Sequence, residues 1–329
     1  MIIDIHNHFY PLEYLNCLKE YGKNISVLYD HYGRMIINYK GDYNVVVKSH
    51  IDIIERLKVM DKFKIDLQIL TLTTPGIDFE DIDFSVKLAR VVNDSFSKII
   101  EKFPDRFTAL AVLPMQIPEL AIEELKRAIV DLGLNGVIIF SNVNGKPIDY
   151  KDFLRIYEEI ERLDVPIFIH PTSPLNLNFM DDYRIVPMFG FPIDTSLAVL
   201  RLILSGVLEK FSSLKIVVAH AGGVLPYLIG RIDKCFNMYP ESKYNVSKLP
   251  SYYLKKNVYV DSICYDQKIL EFVFRILGSN RIMLGTDYPH QITDIENAVE
   301  RIIKLDISNT EKENILGLNA LKLFKIGLN

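Results

Sequence analysis

The chain contains 329 residues, of which 49% are hydrophobic and 24% are charged, and its formal net charge is −4. This length and composition can fill one large core, and α/β barrels commonly reach this size as a single domain. The slightly acidic balance, with no run of Lys or Arg, argues against a nucleic-acid partner.

The three cysteines, Cys17, Cys235 and Cys264, are scattered and include no C-x-x-C pair. This pattern indicates neither a disulfide framework nor a cysteine-based metal site. The chain opens on an apolar strand without the features of a signal peptide, and charges, Gly or Pro interrupt its apolar stretches before they reach bilayer length. We therefore expect a cytoplasmic protein with no membrane partner.

Eight short apolar runs predict strands that are buried on both faces of a parallel sheet. They cover residues 2–6, 67–72, 107–113, 136–140, 166–170, 215–220, 258–261 and 282–287. Apolar residues at helical spacing predict the helices between them, at 51–63, 84–103, 118–132, 150–163, 195–211, 225–236, 267–277 and 295–305. Eight strands alternating with eight helices predict an α/β fold of the (β/α)₈ TIM-barrel type.

Three segments lie outside this repeat. Residues 9–49 are rich in Tyr, Asn and Gly and predict a small β-rich insertion after the first strand, a flap over the barrel mouth. Residues 175–192 form a second long loop, and long loops in compact domains often serve as lids or binding loops. An extra helix over 310–324, capped by Thr310 with Glu313 three residues on, follows the barrel. We keep residues 1–329 as one domain.

Histidines fall at the ends of the predicted strands. His6 and His8 end the first strand, and His170 and His220 end the fifth and sixth. Asp287 ends the eighth strand. The carboxyl ends of parallel barrel strands meet on one face, where the active sites of this fold are built, so these side chains are expected to surround one point.

Four of these side chains suit a divalent metal ion. Residues at positions i and i+2 of a strand point to the same side, so His6 and His8 can both face the barrel axis. With His170 and Asp287 they form a shell for zinc or another divalent transition ion, with a position left open for water or substrate. Each residue taken singly also has a structural interpretation, as a loop hydrogen bond or a turn cap; the constellation favours the metal.

Two roles are open for His220, which precedes the turn 221–223 (AGG). It can be a fifth ligand or a base for metal-bound water. We favour the base, because the other four side chains already suffice for the ion. Arg231 is either a solvated helix residue or a fork for a substrate carboxylate. His290 is expected to line the barrel mouth.

The remaining histidines, His31 and His50, are expected at the surface in or near the insertion. The sequence contains no Walker-type phosphate loop and no G-x-G-x-x-G after a strand. It also contains no G-x-S-x-G elbow, which argues against a serine hydrolase.

Four segments, 4–11 (DIHNHFYP), 168–171 (FIHP), 218–223 (VAHAGG) and 284–289 (LGTDYP), carry a family resemblance. In this order they resemble the motifs of the amidohydrolase-related branch that contains aminocarboxymuconate-semialdehyde decarboxylase. The resemblance runs from residue 2 to about residue 323. It implies a TIM barrel, one divalent ion (often zinc, sometimes manganese), and non-oxidative decarboxylation of an unsaturated or aromatic carboxylic acid.

The resemblance also implies roles for single residues. His6, His8, His170 and Asp287 match the metal ligands, and His220 matches the histidine that activates metal-bound water. Arg231 matches an arginine that reaches into the neighbouring subunit's site in dimeric relatives, which implies a homodimer.

One departure concerns the substrate. Muconate-type relatives carry a second substrate-binding arginine in the first insertion, whereas Asn44 stands near that position and no Arg lies between Arg34 and Arg56. Segments 71–76 and 190–195 look closer to salicylate-type decarboxylases.

Three functions remain in competition. In the leading one, a carboxy-lyase, the ion polarises the substrate and His220 or Asp287 supplies a proton to carbon. In the second, the same shell activates water to hydrolyse a lactone, amide or ester. The third is an idle barrel used for binding, which we rank last because all five site residues are retained.

Overall fold

The structure, a computed structural model, describes residues 1–180 and 182–327. Its strands are β1 Ile3–His8, β2 Ser26–Tyr29, β3 Met35–Tyr39, β4 Asp42–Val46, β5 Leu67–Thr71, β6 Phe107–Ala109, β7 Ala111–Val112, β8 Val137–Phe140, β9 Asn142–Val143, β10 Lys146–Pro147, β11 Ile167–His170, β12 Ile216–Val218, β13 Val258–Asp261 and β14 Ile282–Met283. All eight predicted strands are present, and the prediction for residues 258–261 has the observed bounds.

The strands that alternate with helices form two parallel sheets. One has the order β1-β5-β6, and the other has the order β14-β13-β12-β11-β8-β7. Only Leu110 separates β6 from β7, so this pair continues one sheet into the other. At the opposite edges, the Ile5 N–H donates to the Leu284 carbonyl (2.9 Å) and the Asp287 N–H donates to the His6 carbonyl (2.8 Å). Backbone contacts therefore connect the two sheets at both edges, and the predicted α/β class is confirmed.

Helices cover the outer face of the strands. Their bounds are Leu12–Tyr21, Ile53–Phe63, Ile82–Lys102, Pro118–Lys126, Leu154–Leu163, Phe191–Leu204, Val207–Lys210, Leu225–Met238, Pro250–Asn257, Gln267–Leu277, Ala298–Ile303, Asn309–Glu313 and Asn319–Leu323. The helix Ile82–Lys102 is typical: the Asp81 side chain accepts the N–H of Phe84 and caps it, and Leu88, Val92 and Phe96 face the core. The helices at 12–21 and 250–257 were not predicted.

Two predicted strands end earlier than expected. β12 ends at Val218, because His220 (φ 56°) and Ala221 (φ 54°) adopt the left-handed conformation. β14 ends at Met283, and Asp287 (φ 58°) lies in the loop that follows rather than at the end of the strand. Left-handed backbone cannot continue a strand, so both side chains are presented by tight turns.

The segment 9–49 contains a helix and a small antiparallel sheet. After the helix Leu12–Tyr21, β2, β3 and β4 pair in that order. Tyr39 contacts Thr74 through their hydroxyl groups (3.0 Å), and the Asn44 amide donates to the Thr74 carbonyl (2.7 Å). These bonds dock the small sheet onto the loop that follows β5.

The helix predicted over 195–211 begins earlier and is interrupted. It starts at Phe191, after a π-turn at Val186–Gly190, and breaks at Gly206 (φ 85°) before a short helix at Val207–Lys210. Contrary to the sequence-based expectation, one stretch, Val186–Leu204, is long and apolar enough by length and composition to cross a membrane. Half of its apolar window is buried inside the fold, and one such stretch is weak evidence for a membrane span.

The cap of the C-terminal helical segment lies two residues before the predicted cap, and the helix begins at Asn309. Ser308 is extended, its side chain accepts the N–H of Glu311, and the Glu311 carboxylate accepts the N–H of Ser308. This reciprocal pair is a capping box, so the predicted cap Thr310 is wrong. Thr310 already lies inside the helix Asn309–Glu313, where its side chain cannot fill the capping position.

Candidate metal centre

Three buried imidazoles meet at the carboxyl ends of the strands. His6 and His8 project from the same side of β1, with ring centroids 4.9 Å apart, as their spacing predicts. His170, the last residue of β11, brings its ring centroid to 4.7 Å from that of His8. One ring nitrogen from each of the three lies within 4.8 Å of the others.

The outer nitrogen of each ring is held by a protein oxygen. The His8 Nδ1 lies 2.9 Å from the Thr71 Oγ1, whose hydroxyl proton is already donated to the Asn7 carbonyl. Thr71 must therefore accept a hydrogen bond, so the proton of His8 sits on Nδ1. The His170 Nδ1 lies 2.8 Å from the Pro171 carbonyl, which can only accept. In both rings the lone pair is consequently on Nε2.

The third ring is held by a carboxylate. The His6 Nδ1 lies 2.5 Å from the Asp261 Oδ2, which leaves its Nε2 facing the other rings. A carboxylate or carbonyl behind each imidazole is the usual arrangement around metal-ligating histidines, because it fixes the tautomer and the ring orientation.

The ring nitrogens and the carboxylate oxygen that face the centre of the cluster are too close together to be stable without a cation between them. The Nε2 atoms of His6 and His8 are 3.1 Å apart, and the Asp287 Oδ1 lies 3.1 Å from His8 Nε2 and 3.6 Å from His6 Nε2. With their protons on the outer nitrogens, lone pairs face lone pairs and a carboxylate. A divalent ion resolves this conflict, and three imidazoles with one carboxylate suit a transition metal.

Burial and charge support the protonation states that a metal requires at His8, His170 and Asp287. Burial lowers the pKa of His8 and of His170 well below the usual value, which keeps both rings neutral. Burial alone would raise the pKa of Asp287, but the surrounding imidazoles, that of His220 first, outweigh burial and hold this pKa well below its usual value. Asp287 is therefore ionised.

His220 lies beside this cluster. Its Nε2 is 3.8 Å from the Asp287 Oδ2, and its side chain is 14% exposed, to the cavity above. Its Nδ1 is buried without a hydrogen-bond partner among the residues that the structure describes. The turn that carries it packs tightly: a Cβ on Gly223 (φ 60°) would lie 2.4 Å from the Pro192 carbonyl oxygen, so glycine is required there.

Asp261 is a site residue that the sequence-based reasoning missed. Besides the His6 Nδ1, its two carboxylate oxygens accept the backbone N–H groups of His220, Ala221 and Ile263 at 2.8–3.0 Å. It therefore fixes both a proposed ligand and the turn that presents His220. The available signal was an acidic residue at the end of a correctly predicted strand.

The exposure of the three histidines outside the cluster agrees with the prediction for two of them and differs for the third. His31 is exposed, as predicted, and His290 lines the cavity, as predicted. The surface prediction for His50 is wrong: its side chain is fully buried, because its ring packs between those of Tyr10 (5.3 Å) and His290 (5.2 Å). The short 3₁₀ turn Lys48–His50 folds it inward under the segment 9–49.

The cluster forms the polar base of a cavity of about 1230 Å³. The walls are mostly apolar, and they come largely from residues 187–192, 223–227 and 263–273. Among the lining residues that the structure describes, Arg184 is the one Arg or Lys, and it pairs with Asp42 (3.2 Å). Asn44 also lines the wall. Arg231 is exposed on the helix Leu225–Met238 and does not line the cavity of its own chain.

Comparison with known proteins identifies the family. Residues 3–326 match the family model described as Amidohydrolase, and the chain therefore belongs to the amidohydrolase family. A 2-amino-3-carboxymuconate-6-semialdehyde decarboxylase from Dictyostelium discoideum is 34% identical, over 99% of this chain and 92% of that protein. A gamma-resorcylate decarboxylase from Rhodococcus jostii (strain RHA1) is 31% identical, over 82% of this chain and 87% of that protein.

A solved structure extends the comparison to the metal. The crystal structure of a dihydroxybenzoic acid decarboxylase from Polaromonas sp. JS666, with bound manganese and the inhibitor 2-nitroresorcinol, has a TM-score of 0.82 at 27% identity. The match covers 98% of this chain and 96% of that one. Together these relatives confirm the predicted family and the prediction of an enzyme of the metal-dependent decarboxylase class.

Proposed function

We propose that this member of the amidohydrolase family releases CO₂ from an aromatic or unsaturated carboxylic acid at the cluster of His6, His8, His170 and Asp287. The observation that carries the proposal is the set of three buried imidazoles whose outer nitrogens are held by protein oxygens. They stand beside an ionised carboxylate at the base of a mostly apolar cavity.

One divalent ion is proposed to bind these four side chains. Zinc suits a shell of three imidazoles and a carboxylate, and manganese, which the Polaromonas relative holds, is the alternative. When bound, the ion supplies Lewis-acid polarisation of the substrate's carboxylate or of an adjacent oxygen.

The protein residues then deliver one proton to the substrate. The bond between the ring carbon and the carboxyl carbon breaks, CO₂ leaves, and the electron pair stays on the ring carbon, which must take up a proton. His220 is placed to deliver it, because its Nε2 faces the Asp287 Oδ2 at 3.8 Å and the cavity. Asp287 orients that imidazole, and Asp287 is the alternative group that could transfer the proton to the ring carbon.

The cavity supports a substrate with a single acidic group. Its apolar walls suit a ring, and they exclude water from the carbon that is protonated. The charge of Arg184 is already matched by Asp42, so no unpaired Arg or Lys lines the described part of the wall. A second carboxylate would therefore find no unpaired cation on its own chain. This favours an aromatic monoacid over a muconate-type diacid.

The proposal extends to the closure of the barrel and to the oligomeric state. The backbone bonds at both sheet edges favour a closed (β/α)₈ barrel, with the segment 9–49 as a flap at its mouth. Arg231 is exposed, so it could bind substrate only in the site of a partner subunit, which would require the homodimer that we propose. A single domain and a cytoplasmic location stay predictions.

The test is CO₂ release by the metal-loaded protein from a panel of aromatic acids, with hydroxybenzoates included. We expect release from the wild type, and a loss of at least about 100-fold in His220→Gln at unchanged metal content, because proton transfer by a positioned side chain contributes about 10²–10⁴. No release across the panel would contradict the proposal. Hydrolysis of a lactone, amide or ester by the same sample would favour the hydrolase instead.

A further inference from the structure

The cavity is larger than a simple aromatic acid requires. Its volume is about 1230 Å³, whereas pockets that bury a drug-sized ligand usually measure about 300–1,000 Å³. A single aromatic ring with one carboxyl group is smaller than such a ligand, and its carboxylate would occupy only the base of the cavity, at the cluster. Most of the cavity is therefore left for a further part of the substrate.

One helix lines this space with an apolar stripe. Ile269, Phe272 and Val273 line the cavity from the helix Gln267–Leu277, and their spacing of three and four residues places them on one face of that helix. From Ile269 to Val273 the stripe extends over about 6 Å of the helix axis, at a rise of about 1.5 Å per residue. Ile269 is 49% exposed and Phe272 is 36% exposed. The stripe thus presents apolar surface that a ligand can cover.

The surroundings of the stripe are also apolar. The helix Gln267–Leu277 contacts the helix Leu225–Met238, from which Pro226 and Tyr227 line the cavity. Among the lining residues that the structure describes, none of those from 223–227 and 263–273 carries a charge. A charged substituent would find no partner here, whereas an apolar substituent needs none.

We propose that the apolar stripe binds an apolar substituent of the substrate, such as an alkyl chain, so that the enzyme prefers aromatic acids that carry one. This inference rests on the proposed function, since it assumes that an aromatic carboxylate binds at the cluster. With the carboxylate held at the base of the cavity, a substituent meta or para to it points away from the metal ligands. Ile269 and Phe272 then determine specificity without taking part in the release of CO₂.

The test is the dependence of affinity on chain length. Dissociation constants of the metal-loaded protein are measured for 3-alkylbenzoates and 4-alkylbenzoates, from methyl to hexyl. We expect the dissociation constant to fall by about 2- to 4-fold per added methylene in at least one series, since full burial of a methylene corresponds to about 4-fold. The gain should stop once the chain passes the end of the stripe.

A double variant, Ile269→Gln with Phe272→Gln, places polar groups on the stripe. Both side chains are partly exposed and Gln is a good helix former, so the helix should persist. We expect the gain to fall below about 1.5-fold per methylene, because polar surface replaces the apolar surface that the chain covers. The matched control is Ile303→Gln, at an isoleucine that is 52% exposed and does not line the cavity. This control should keep the wild-type gain.

Two results would overturn the inference. One is a wild type whose affinity does not rise with chain length in either series, as expected if a second copy of the chain covers the stripe. The other is an undiminished gain in the folded, metal-loaded double variant, as expected for unspecific partitioning. If the double variant does not fold, Ile269→Trp gives the same decision: it fills space beside the stripe and should end the gain at a shorter chain.

Because binding needs no turnover, the two hypotheses fail separately. A wild type that binds longer chains more tightly but releases no CO₂ from any acid contradicts the proposed function. A wild type that releases CO₂ while its affinity ignores chain length contradicts the inference alone.

Discussion

The His6 imidazole and the Asp261 carboxylate, 255 residues apart in sequence, lie 2.5 Å apart in the buried floor of the cavity. Burial lowers the pKa of His6, but the hydrogen bond and charge of Asp261 outweigh it, and the net pKa is raised. The carboxylate thus holds the ring with Nδ1 toward β13 and Nε2 toward the other histidines. A ligand that is oriented in this way loses little freedom when an ion binds.

Replacing Asp261 by Asn should weaken metal binding. An amide keeps the size of the side chain, but its NH₂ group cannot accept a hydrogen bond. At least one of the N–H groups that now donate to Asp261 would therefore face another donor. We expect the metal affinity to fall by about 10- to 100-fold, the usual cost of losing a partner behind a ligand. Competition with a chromophoric chelator measures it.

The control for this change is Asp266→Asn. Asp266 caps the helix Gln267–Leu277, and Asn caps helices about as well as Asp. The control should bind metal like the wild type. Folded Asp261→Asn with wild-type affinity would show that Asp261 does not orient the site.

Arg56 should be a large contributor to stability. Its guanidinium is fully buried, and it donates to the Asn7 and Gln68 side chains (both 2.9 Å) and to the carbonyls of His8 and Ser49. Burial lowers its pKa to about 10, so it remains charged at neutral pH. Arg56→Met would leave these acceptors without a donor, and each buried unsatisfied group costs about 1–3 kcal/mol.

We therefore expect Arg56→Met to lower the free energy of unfolding by about 3 kcal/mol or more in urea titrations. Arg155→Met is the matched control, since Arg155 pairs with Glu119 at the surface, where such pairs contribute at most about 1 kcal/mol. Equal effects of the two substitutions would refute the assignment.

Asp78 should make the protein less stable as the pH rises. Burial raises its pKa to about 7, and its Oδ1 has no partner among the described residues. The folded-state pKa is raised above the unfolded value of 3.8. The stability that protonated Asp78 contributes is therefore fully present below pH ~4 and is lost as the pH rises toward and through about 7.

Asp78→Asn removes this dependence. Relative to the wild type, the variant should gain roughly 2–3 kcal/mol of unfolding free energy between pH 5 and pH 8, the linkage expected over two pH units. Denaturant titrations at both values measure it. A pH-independent difference between variant and wild type would mean that Asp78 titrates normally.

The cap of the C-terminal helix gives a stability test with a built-in control. Ser308→Ala removes the side chain that accepts the Glu311 N–H, and the loss of such a cap costs about 1 kcal/mol. Thr310→Ala, two residues on and exposed, should change stability by less than about 0.5 kcal/mol. Thermal unfolding of the two variants decides which residue is the cap, and the reverse ranking would restore the original prediction.

Most of the candidate site could be predicted from sequence because it depends on strand periodicity and convergence. The i, i+2 spacing of His6 and His8 sufficed to place both rings on one side, and the end of an apolar run sufficed for His170. Tertiary contacts decided the rest. His50 carries no periodic signal, and it is buried by tertiary contacts with Tyr10 and His290.

Turn geometry accounts for the errors near the cluster. The positive φ angle of His220 follows the early end of β12, and Asp287, also at positive φ, lies four residues beyond the end of β14. Asp and His adopt left-handed backbone more often than most residues, but still uncommonly, so the sequence did not predict these turns. The sequence-based prediction lacks Asp261, although this acidic residue ends a strand whose bounds were predicted correctly.

The central claim is that His6, His8, His170 and Asp287 bind one divalent ion, and metal content tests it most directly. We would measure zinc and manganese per chain by elemental analysis in the wild type, in His6→Ala and in the exposed control His31→Ala, after incubation with each metal. The account predicts about one ion per chain in the wild type and control, and a loss in folded His6→Ala. A wild type that binds neither metal, or a His6→Ala variant that binds as much, would contradict it.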